Sequence, residues 1–318
     1  MKSRFKNPPN SPRRDATFND YWSFFVERIK TSNALPTCPE GHVLTHDEVL
    51  HQWNQHEQQD TITWLGHAVF LIRLGGKRFL TDPYLSKTAG PGPFGPKRYA
   101  TPAIELSDLL PLDAILITHN HYDHLDTTTL RKFAAMADIP IIAAEGLTPI
   151  LKRQGFHTIT ELPWNTIHKV GAVTITSTPA IHWSKRGLND ENRTHWCGYL
   201  FETESFRLYF SGDTAYGPIF KELGEQLGEI DFGILPIGAY VPASIMKPVH
   251  TTPEEAIQIA LDTHCKTVIP MHWGTVVLSD EDPWEPPKRF ADAATQNGYT
   301  PNTARPMNIG QTLPLPMN

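Results

Sequence analysis

The segment from Thr118 to Asp126 reads THNHYDHLD and carries four side chains that commonly bind metal ions. They lie within six positions and are His119, His121, Asp123 and His124. Imidazole and carboxylate groups together suit zinc and neighbouring transition metals. Four such groups so close together crowd a single tetrahedral ion, so the spacing suggests two ions side by side. His119 and His121 would lie on one ion, and Asp123 and His124 on the other.

The alternative interpretation of this segment is a polar loop that caps a helix. Either Asp123 or Asp126 could cap the helical-looking stretch 127–137. That interpretation gives no role to three imidazoles, each of which would need a hydrogen-bond partner once buried. We therefore interpret the segment as a metal site.

Three more residues of ligand type follow apolar stretches at the point where a turn begins. They are His182 after 174–181, Asp213 after 208–212 and His272 after 268–271. A single histidine at a strand end is more often an ordinary core or surface residue. Three such positions in a chain that already carries the THNHYDH segment indicate one shared centre.

The elements that must position these residues alternate between strands and helices. Apolar runs from Thr61 onward predict a strand meander with a hairpin turn at Gly75 and Gly76. Strand clusters followed by alternating strands and helices occur twice, which predicts an α/β fold with two sheets packed together and helices outside. We expect residues 1–60 to form an N-terminal extension that packs on the body, 61–318, and to include a short aromatic helix at 21–30.

Composition limits the class of partner. The 318 residues have a net charge of −6, so the chain lacks the excess of positive charge that is typical of proteins that bind nucleic acid. Three cysteines, far apart and odd in number, argue for a reducing compartment rather than a disulfide framework. The basic N-terminus lacks the apolar core of a secretory signal, and no apolar run is long enough to span a bilayer. These features predict a soluble, cytoplasmic protein and leave peripheral membrane contact open.

The seven residues, in this order, resemble the ligand motifs of the metallo-β-lactamase superfamily. The resemblance implies an αββα sandwich of two mixed sheets over residues 61–318, with a binuclear centre at the sheet edges. It assigns one ion to His119, His121 and His182, the other to Asp123, His124 and His272, and a bridging role to Asp213. Asp82 matches the superfamily's first motif, usually an acid that orients the ligand turn. Two zinc ions are the default, with iron and manganese open; histidine at position 121 instead of glutamate argues against the di-iron oxygen-reducing branch.

Other segments are similar to the N-acyl-phosphatidylethanolamine-hydrolysing phospholipase D family. The more diagnostic ones are GPKR at 95–98 and IGAY at 237–240. This resemblance implies a phosphodiesterase that releases an N-acyl ethanolamine and phosphatidic acid from a phospholipid, and it suggests a homodimer. His250 would touch the substrate phosphate, or would equally be a helix-entry residue before Pro253. Tyr122 is one of several aromatics that could line an acyl-chain channel or pack the two sheets.

The expected chemistry needs no serine or cysteine nucleophile. A water shared by two ions would lose a proton near neutral pH, and the hydroxide would attack phosphorus in line. Asp123 and Asp213 are the catalytic candidates, chiefly as ligands, with Asp123 also able to orient the hydroxide. Because the same hydroxide could attack a carbonyl carbon, a lactonase or another ester hydrolase is the alternative. The negative charge disfavours a nuclease, and a metal sensor would not need a bridged pair.

Overall fold

Strands of three to seven residues, most of them apolar runs, form two mixed β-sheets in the computed structural model, which describes residues 4–31, 35–92 and 94–316. Positions 1–3 and 32–34 of the predicted extension, and positions 93, 317 and 318 of the predicted body, lie outside the described residues. The two sheets pack face to face with helices outside, which confirms the predicted fold class. The division between extension and body at residue 60 stays a prediction.

The first sheet has seven strands among the described residues, and its spatial order is β13-β1-β2-β3-β4-β5-β6. Strands β13 to β3 pair antiparallel, and β3 to β6 pair parallel. Gly75 and Gly76 form the predicted hairpin turn between β2 and β3. The strands are β1 (Thr61–Trp64), β2 (Phe70–Leu74), β3 (Lys77–Thr81), β4 (Ala114–Ile117), β5 (Ile141–Ala144), β6 (Ile159–Leu162) and β13 (Thr312–Pro314).

The second sheet has six strands among those described, in the order β12-β11-β10-β9-β8-β7. Strands β10, β11 and β12 run parallel, and the remaining pairs are antiparallel. Its strands are β7 (Ile167–Val170), β8 (Val173–Thr178), β9 (Gly198–Glu202), β10 (Arg207–Phe210), β11 (Ile230–Pro236) and β12 (Cys265–Met271).

Helices connect the strands and cover the outer faces. A helix makes most of the crossovers between successive parallel strands, as α3 does between β4 and β5, whereas a loop with a 3₁₀ turn joins β3 to β4. The helices are α1 (Phe18–Thr31), α2 (His46–Gln55), α3 (Thr127–Met136), α4 (Thr148–Lys152), α5 (Ile219–Leu227), α6 (Ala243–Met246), α7 (Pro253–Asp262) and α8 (Pro286–Gln296), with a 3₁₀ turn at Leu106–Leu109. Among the described residues, no helix combines the length and the apolar character needed to cross a bilayer.

The core lies between the two sheets. Phe79 of the first sheet packs against Phe201 of the second with their ring centroids 5.4 Å apart, and both side chains are fully buried. One hydrogen bond also crosses the interface, from the hydroxyl of Tyr199 to the carbonyl of Ile117 at 2.8 Å. Burying large aromatic side chains from both faces supplies much of the hydrophobic stabilisation.

Several elements are absent from the sequence-based prediction. Strand β7 is a partly exposed edge strand of sequence IHKV, and β13 has only three residues, so neither forms a clear apolar run. Helix α2 is mostly polar and Val49 is its buried residue, and its Thr45–Glu48 capping box is the signal that could have revealed it. This helix contacts the first sheet, because Trp53 Nε1 donates to Thr63 Oγ1 at 3.0 Å.

Candidate metal centre

The carboxyl ends of the strands bring the predicted ligand residues to one edge of the sandwich. The THNHYDH segment follows β4, and Asp82 follows the parallel neighbour β3. In the second sheet Asp213 and His272 follow the parallel strands β10 and β12, and His182 follows β8. Gly212 makes the turn before Asp213 with φ of 61°, and a Cβ atom there would lie 2.7 Å from the Cys197 carbonyl oxygen. Glycine is therefore required at that turn.

Three imidazoles converge in a first group. Nδ1 of His121 lies 2.9 Å from Nε2 of His119 and 3.1 Å from Nε2 of His182. His119 and His182 are each only 1% exposed. Nδ1 of His119 and Nδ1 of His182 bond to other acceptors, so in the neutral rings both Nε2 atoms carry lone pairs. Because His121 Nδ1 carries at most one proton, it can donate to only one of them.

A second group contains one carboxylate and two imidazoles. Oδ2 of Asp123 lies 3.4 Å from Nε2 of His124 and 3.5 Å from Nε2 of His272. Asp213 stands between the two groups. Its Oδ2 is 3.1 Å from Nε2 of both His124 and His272, and 3.8 to 3.9 Å from Nε2 of His182 and His119. All seven predicted residues thus come together, in two groups with Asp213 between them. Their assignment to two ions stays a prediction.

A hydrogen-bond chain fixes which ring nitrogens face the centre. Asp82 is fully buried, and its Oδ2 accepts from Nδ1 of His124 at 2.8 Å and from Oγ1 of Thr118 at 2.6 Å. Because the Thr118 hydroxyl donates its hydrogen bond to Asp82, its oxygen Oγ1 accepts a second one from Nδ1 of His119 at 2.9 Å. In the neutral rings the Nε2 atoms of His119 and His124 therefore present lone pairs to the centre. The structure places Asp82 in the position that the resemblance implies.

The donor set fits metal ions. Both carboxylate oxygens of Asp213 and Nε2 of His124 and His272 are buried without a hydrogen-bond partner among the described residues. Buried polar groups in native proteins are normally paired, so such a cluster of unpaired acceptors is typical of a cation-binding site. Imidazole nitrogen with carboxylate oxygen is a donor set that zinc accepts readily. The chain therefore has a candidate His/Asp metal site.

Electrostatics favour the metal-binding form at some residues of the centre and oppose it at others. Burial lowers the pKa of His121 to about 4, which keeps the ring neutral. Burial alone would raise the pKa of Asp213, but the adjacent His124 and His272 outweigh it and hold that pKa well below the ordinary value. Metal ions require neutral imidazole and ionised carboxylate, so these two shifts favour metal binding. Burial alone would lower the pKa of His272, but Asp213 and Asp123 outweigh it and raise that pKa to about 9, and the same carboxylates raise the pKa of His124 well above its ordinary value. A metal ion at these two rings would therefore have to displace a proton.

His67 also belongs to this centre and is missing from the sequence-based set. Its Nε2 lies 2.9 Å from Oδ2 of Asp123, and its side chain is almost fully buried. Its backbone is left-handed, with φ of 54°, and its carbonyl accepts from the N–H of His272 at 3.1 Å. The sequence did contain a signal for this residue, because His67 follows Gly66 after β1 in the same way that Asp213 follows Gly212 after β10.

Arg186 holds the THNHYDH segment from outside. Its guanidinium lies 3.8 Å from the centre of the Tyr122 ring, and its Nη1 donates to the carbonyls of Asn120 at 2.7 Å and Leu125 at 2.8 Å. Its donors are directed to backbone carbonyls, which indicates that it stabilises the loop carrying the ligands.

A cavity of about 310 Å³ adjoins the centre. Its polar side includes His121, Asp123, Asp213 and the two substrate candidates, Tyr122 and His250. His250 Nδ1 lies 3.9 Å from Asp213 Oδ2 and, among the described residues, has no hydrogen-bond partner. The Tyr122 hydroxyl donates to the carbonyl of Arg186 at 3.1 Å. The remaining wall is mostly apolar and includes Tyr21, Phe24, Ile245, Met246, Val249 and Leu278.

The fold and the site define a metal-dependent hydrolase. The profile of the beta-lactamase superfamily domain matches residues 77–273, and the chain belongs to that superfamily. The N-acyl-phosphatidylethanolamine-hydrolyzing phospholipase D 1 of Caenorhabditis elegans is 37% identical over 238 residues, which cover 71% of this chain and 67% of that protein.

One further relative supports the family, and one solved structure supports the fold. The mitochondrial N-acyl-phosphatidylethanolamine-hydrolyzing phospholipase D of Saccharomyces cerevisiae is 33% identical over 250 residues. That match covers 74% of this chain but only 52% of the yeast protein, so the chain spans about half of its length. The structure of Igni18, a metallo hydrolase from the archaeon Ignicoccus hospitalis, is similar with a TM-score of 0.60 at 21% identity, covering 82% of this chain and 100% of Igni18. This last likeness supports the fold.

Proposed function

We propose that the chain is a binuclear zinc phosphodiesterase that hydrolyses phospholipids of the N-acyl-phosphatidylethanolamine type to N-acyl ethanolamine and phosphatidic acid. The observation that carries the proposal is the pairing of two ligand groups around Asp213 with a largely apolar cavity beside them. The names of the worm and yeast relatives support the choice of substrate.

The proposal gives each ligand residue a role. His119, His121 and His182 would hold one zinc ion, and Asp123, His124 and His272 the other, with Asp213 shared between them. When bound, the two ions would supply a water that is acidic enough to react near neutral pH and positive charge for the phosphate oxygens. Asp123 would orient the attacking water by accepting a hydrogen bond from it.

The remaining residues of the pocket would bind the substrate. His250 would donate a hydrogen bond to a phosphate oxygen, because its Nδ1 faces the centre and needs a partner. Tyr122 would contact the head group from the neighbouring wall of the cavity. The apolar residues opposite would receive acyl chains, since an apolar wall with few polar groups is typical of a lipid pocket. During hydrolysis the oxygen of the attacking water would form a bond to phosphorus and the bond from phosphorus to the ethanolamine oxygen would break. The ethanolamine oxygen would take up the proton that the water loses.

The test is turnover of N-acyl-phosphatidylethanolamine in detergent micelles by the zinc-loaded protein. Bis(p-nitrophenyl) phosphate and a lactone are run alongside, with the chelated protein as control. Release of N-acyl ethanolamine that stops on chelation is the expected result. Cleavage of the small diester without the lipid would overturn the lipid assignment. Turnover of the lactone alone would favour the ester hydrolase instead.

A further inference from the structure

The N-terminal strap, defined as residues 4–14, lies along the loop that carries His182. This loop, residues 179–197, contains no helix or strand and connects β8 to β9. The strap lies outside residues 77–273, which the superfamily profile matches. Its contacts with the loop therefore need an explanation of their own.

Asn7 of the strap makes a direct hydrogen bond to a predicted ligand residue. Its side-chain Oδ1 accepts from the backbone N–H of His182 at 2.9 Å. The imidazole of His182 is held separately, because its Nδ1 donates to the carbonyl of Val249 at 2.7 Å. The body of the protein thus orients the ring, and the strap fixes the backbone from which the ring extends.

Contacts on either side of Asn7 hold the strap in place. The ring of Phe5 stacks on the ring of His195 with centroids 4.3 Å apart, and the backbone N–H of Phe5 donates to the carbonyl of Asn192 at 2.8 Å. At the other end the guanidinium of Arg14 lies 4.3 Å from the centre of the Trp183 ring and 3.0 Å from a carboxylate oxygen of Glu191. The strap is thus attached to the loop both before and after the residue that contacts His182.

A loop without regular hydrogen bonding does not by itself hold a ligand at a fixed distance. The N–H of the preceding residue, Ile181, is bound by Thr214 Oγ1 at 2.9 Å, so the body holds one side of His182. The N–H of His182 itself is bound by the strap. Outer contacts of this kind usually change metal affinity by about 10- to 100-fold when they are removed.

We propose that Asn7 is a positioning residue of the metal centre and that the strap is therefore part of the centre. Asn7 acts through the backbone of His182 and keeps Nε2 of that ring beside His119 and His121. The inference rests on the proposed metal centre, since it gives Asn7 a role only if His182 is a ligand.

The test compares zinc affinity among variants of the strap. Asn7→Leu removes the acceptor at similar volume, whereas Asn7→Asp keeps an oxygen in its place. Lys6→Ala is the matched control, because the Lys6 side chain is exposed beside Asn7 in the same strap. Stepwise competition with a chelator measures the affinity for each zinc ion, and circular dichroism of the metal-free protein checks the fold. If Asn7→Leu does not fold, Phe5→Ala replaces it, because that change loosens the strap without touching His182.

We expect Asn7→Leu to lower the affinity for one of the two zinc ions by about 10- to 100-fold. Asn7→Asp and Lys6→Ala should bind both ions like the wild type, and Phe5→Ala should weaken the same ion less strongly. Unchanged affinity for both ions in a folded Asn7→Leu, or in Phe5→Ala where that variant replaces it, would overturn the inference. A wild-type chain that binds no zinc would instead overturn the proposed metal centre, so the two failures are distinguishable.

Discussion

Replacing His67 with asparagine should weaken the binding of one zinc ion and leave the other almost unchanged. Nε2 of His67 donates to Oδ2 of Asp123, and that oxygen lies within 3.5 Å of Nε2 of both His124 and His272. His67 makes no comparably close contact, among the described residues, with the group formed by His119, His121 and His182. The effect should therefore fall on the ion next to Asp123.

The size of the effect follows from the hydrogen bond. A buried hydrogen bond to a charged acceptor contributes about 1.5–3 kcal/mol. If this energy is lost only from the metal-bound state, it corresponds to a decrease in affinity of about 10- to 100-fold. Asparagine is chosen because it tolerates the left-handed backbone at His67, where φ is 54°. Its side chain is too short to reach Asp123.

The assay is metal stoichiometry at limiting free zinc, followed by competition with a chelator. His264→Asn is the matched control, because His264 has the same φ of 54° and an exposed side chain away from the centre. At a free zinc concentration that just saturates the wild type, His67→Asn should retain one ion per chain, and the control should retain two. Two ions bound with wild-type affinity in His67→Asn would refute the positioning of Asp123 by His67.

Three other changes test the proposed centre and its surroundings. Asp213→Asn should remove bound metal and hydrolysis together, because a neutral amide cannot replace the shared carboxylate; full activity with both ions present would exclude the bridging role. Arg186→Met should lower the free energy of unfolding in urea by about 1–3 kcal/mol, because it leaves backbone carbonyls unpaired. The control Lys185→Ala should change that free energy little. Equal effects of the two substitutions would argue against stabilisation of the THNHYDH segment by Arg186. Burial lowers the pKa of His195 from 6.5 to about 4, so protonation is disfavoured in the folded state. As pH decreases from 6.5 to about 4, the unfolding free energy of the wild type should therefore fall relative to that of His195→Phe, by at most about 3 kcal/mol. A difference between the two proteins that does not change with pH would contradict the lowered pKa of His195.

The sequence allowed the ligand set to be predicted because each member has a local signal. His182, Asp213 and His272 each follow an apolar strand, and neighbouring strand ends come together at one edge of a sandwich. The two-sheet fold was predictable for the same reason, since most strands are apolar runs. Edge strand β7 and the short β13 lack that signal, because they bury little apolar surface.

The residues that support the ligands had weaker signals or none. Asn7 and His182 are separated by 175 positions, and Arg186 and Leu125 by 61, so no local pattern relates them. The pair Lys185 and Arg186 suggests a solvated or anion-binding site until the structure shows the guanidinium directed at backbone carbonyls. Such contacts depend on the folded arrangement of distant loops, and a single sequence does not encode them as a motif.

This difference between ligands and supporting residues should also appear in the energetics. Asp82 fixes the ring nitrogens of His119 and His124 without facing the candidate centre, and His67 and Asn7 act one contact away from the predicted ligand atoms. Loss of a donor removes a bond to the ion, whereas loss of a supporting contact lets a donor that is still present move. Ligand substitutions should therefore abolish binding of an ion, while substitutions in the supporting residues should shift its affinity by graded amounts. A series of variants in both sets, compared by zinc affinity, would separate the two kinds of residue.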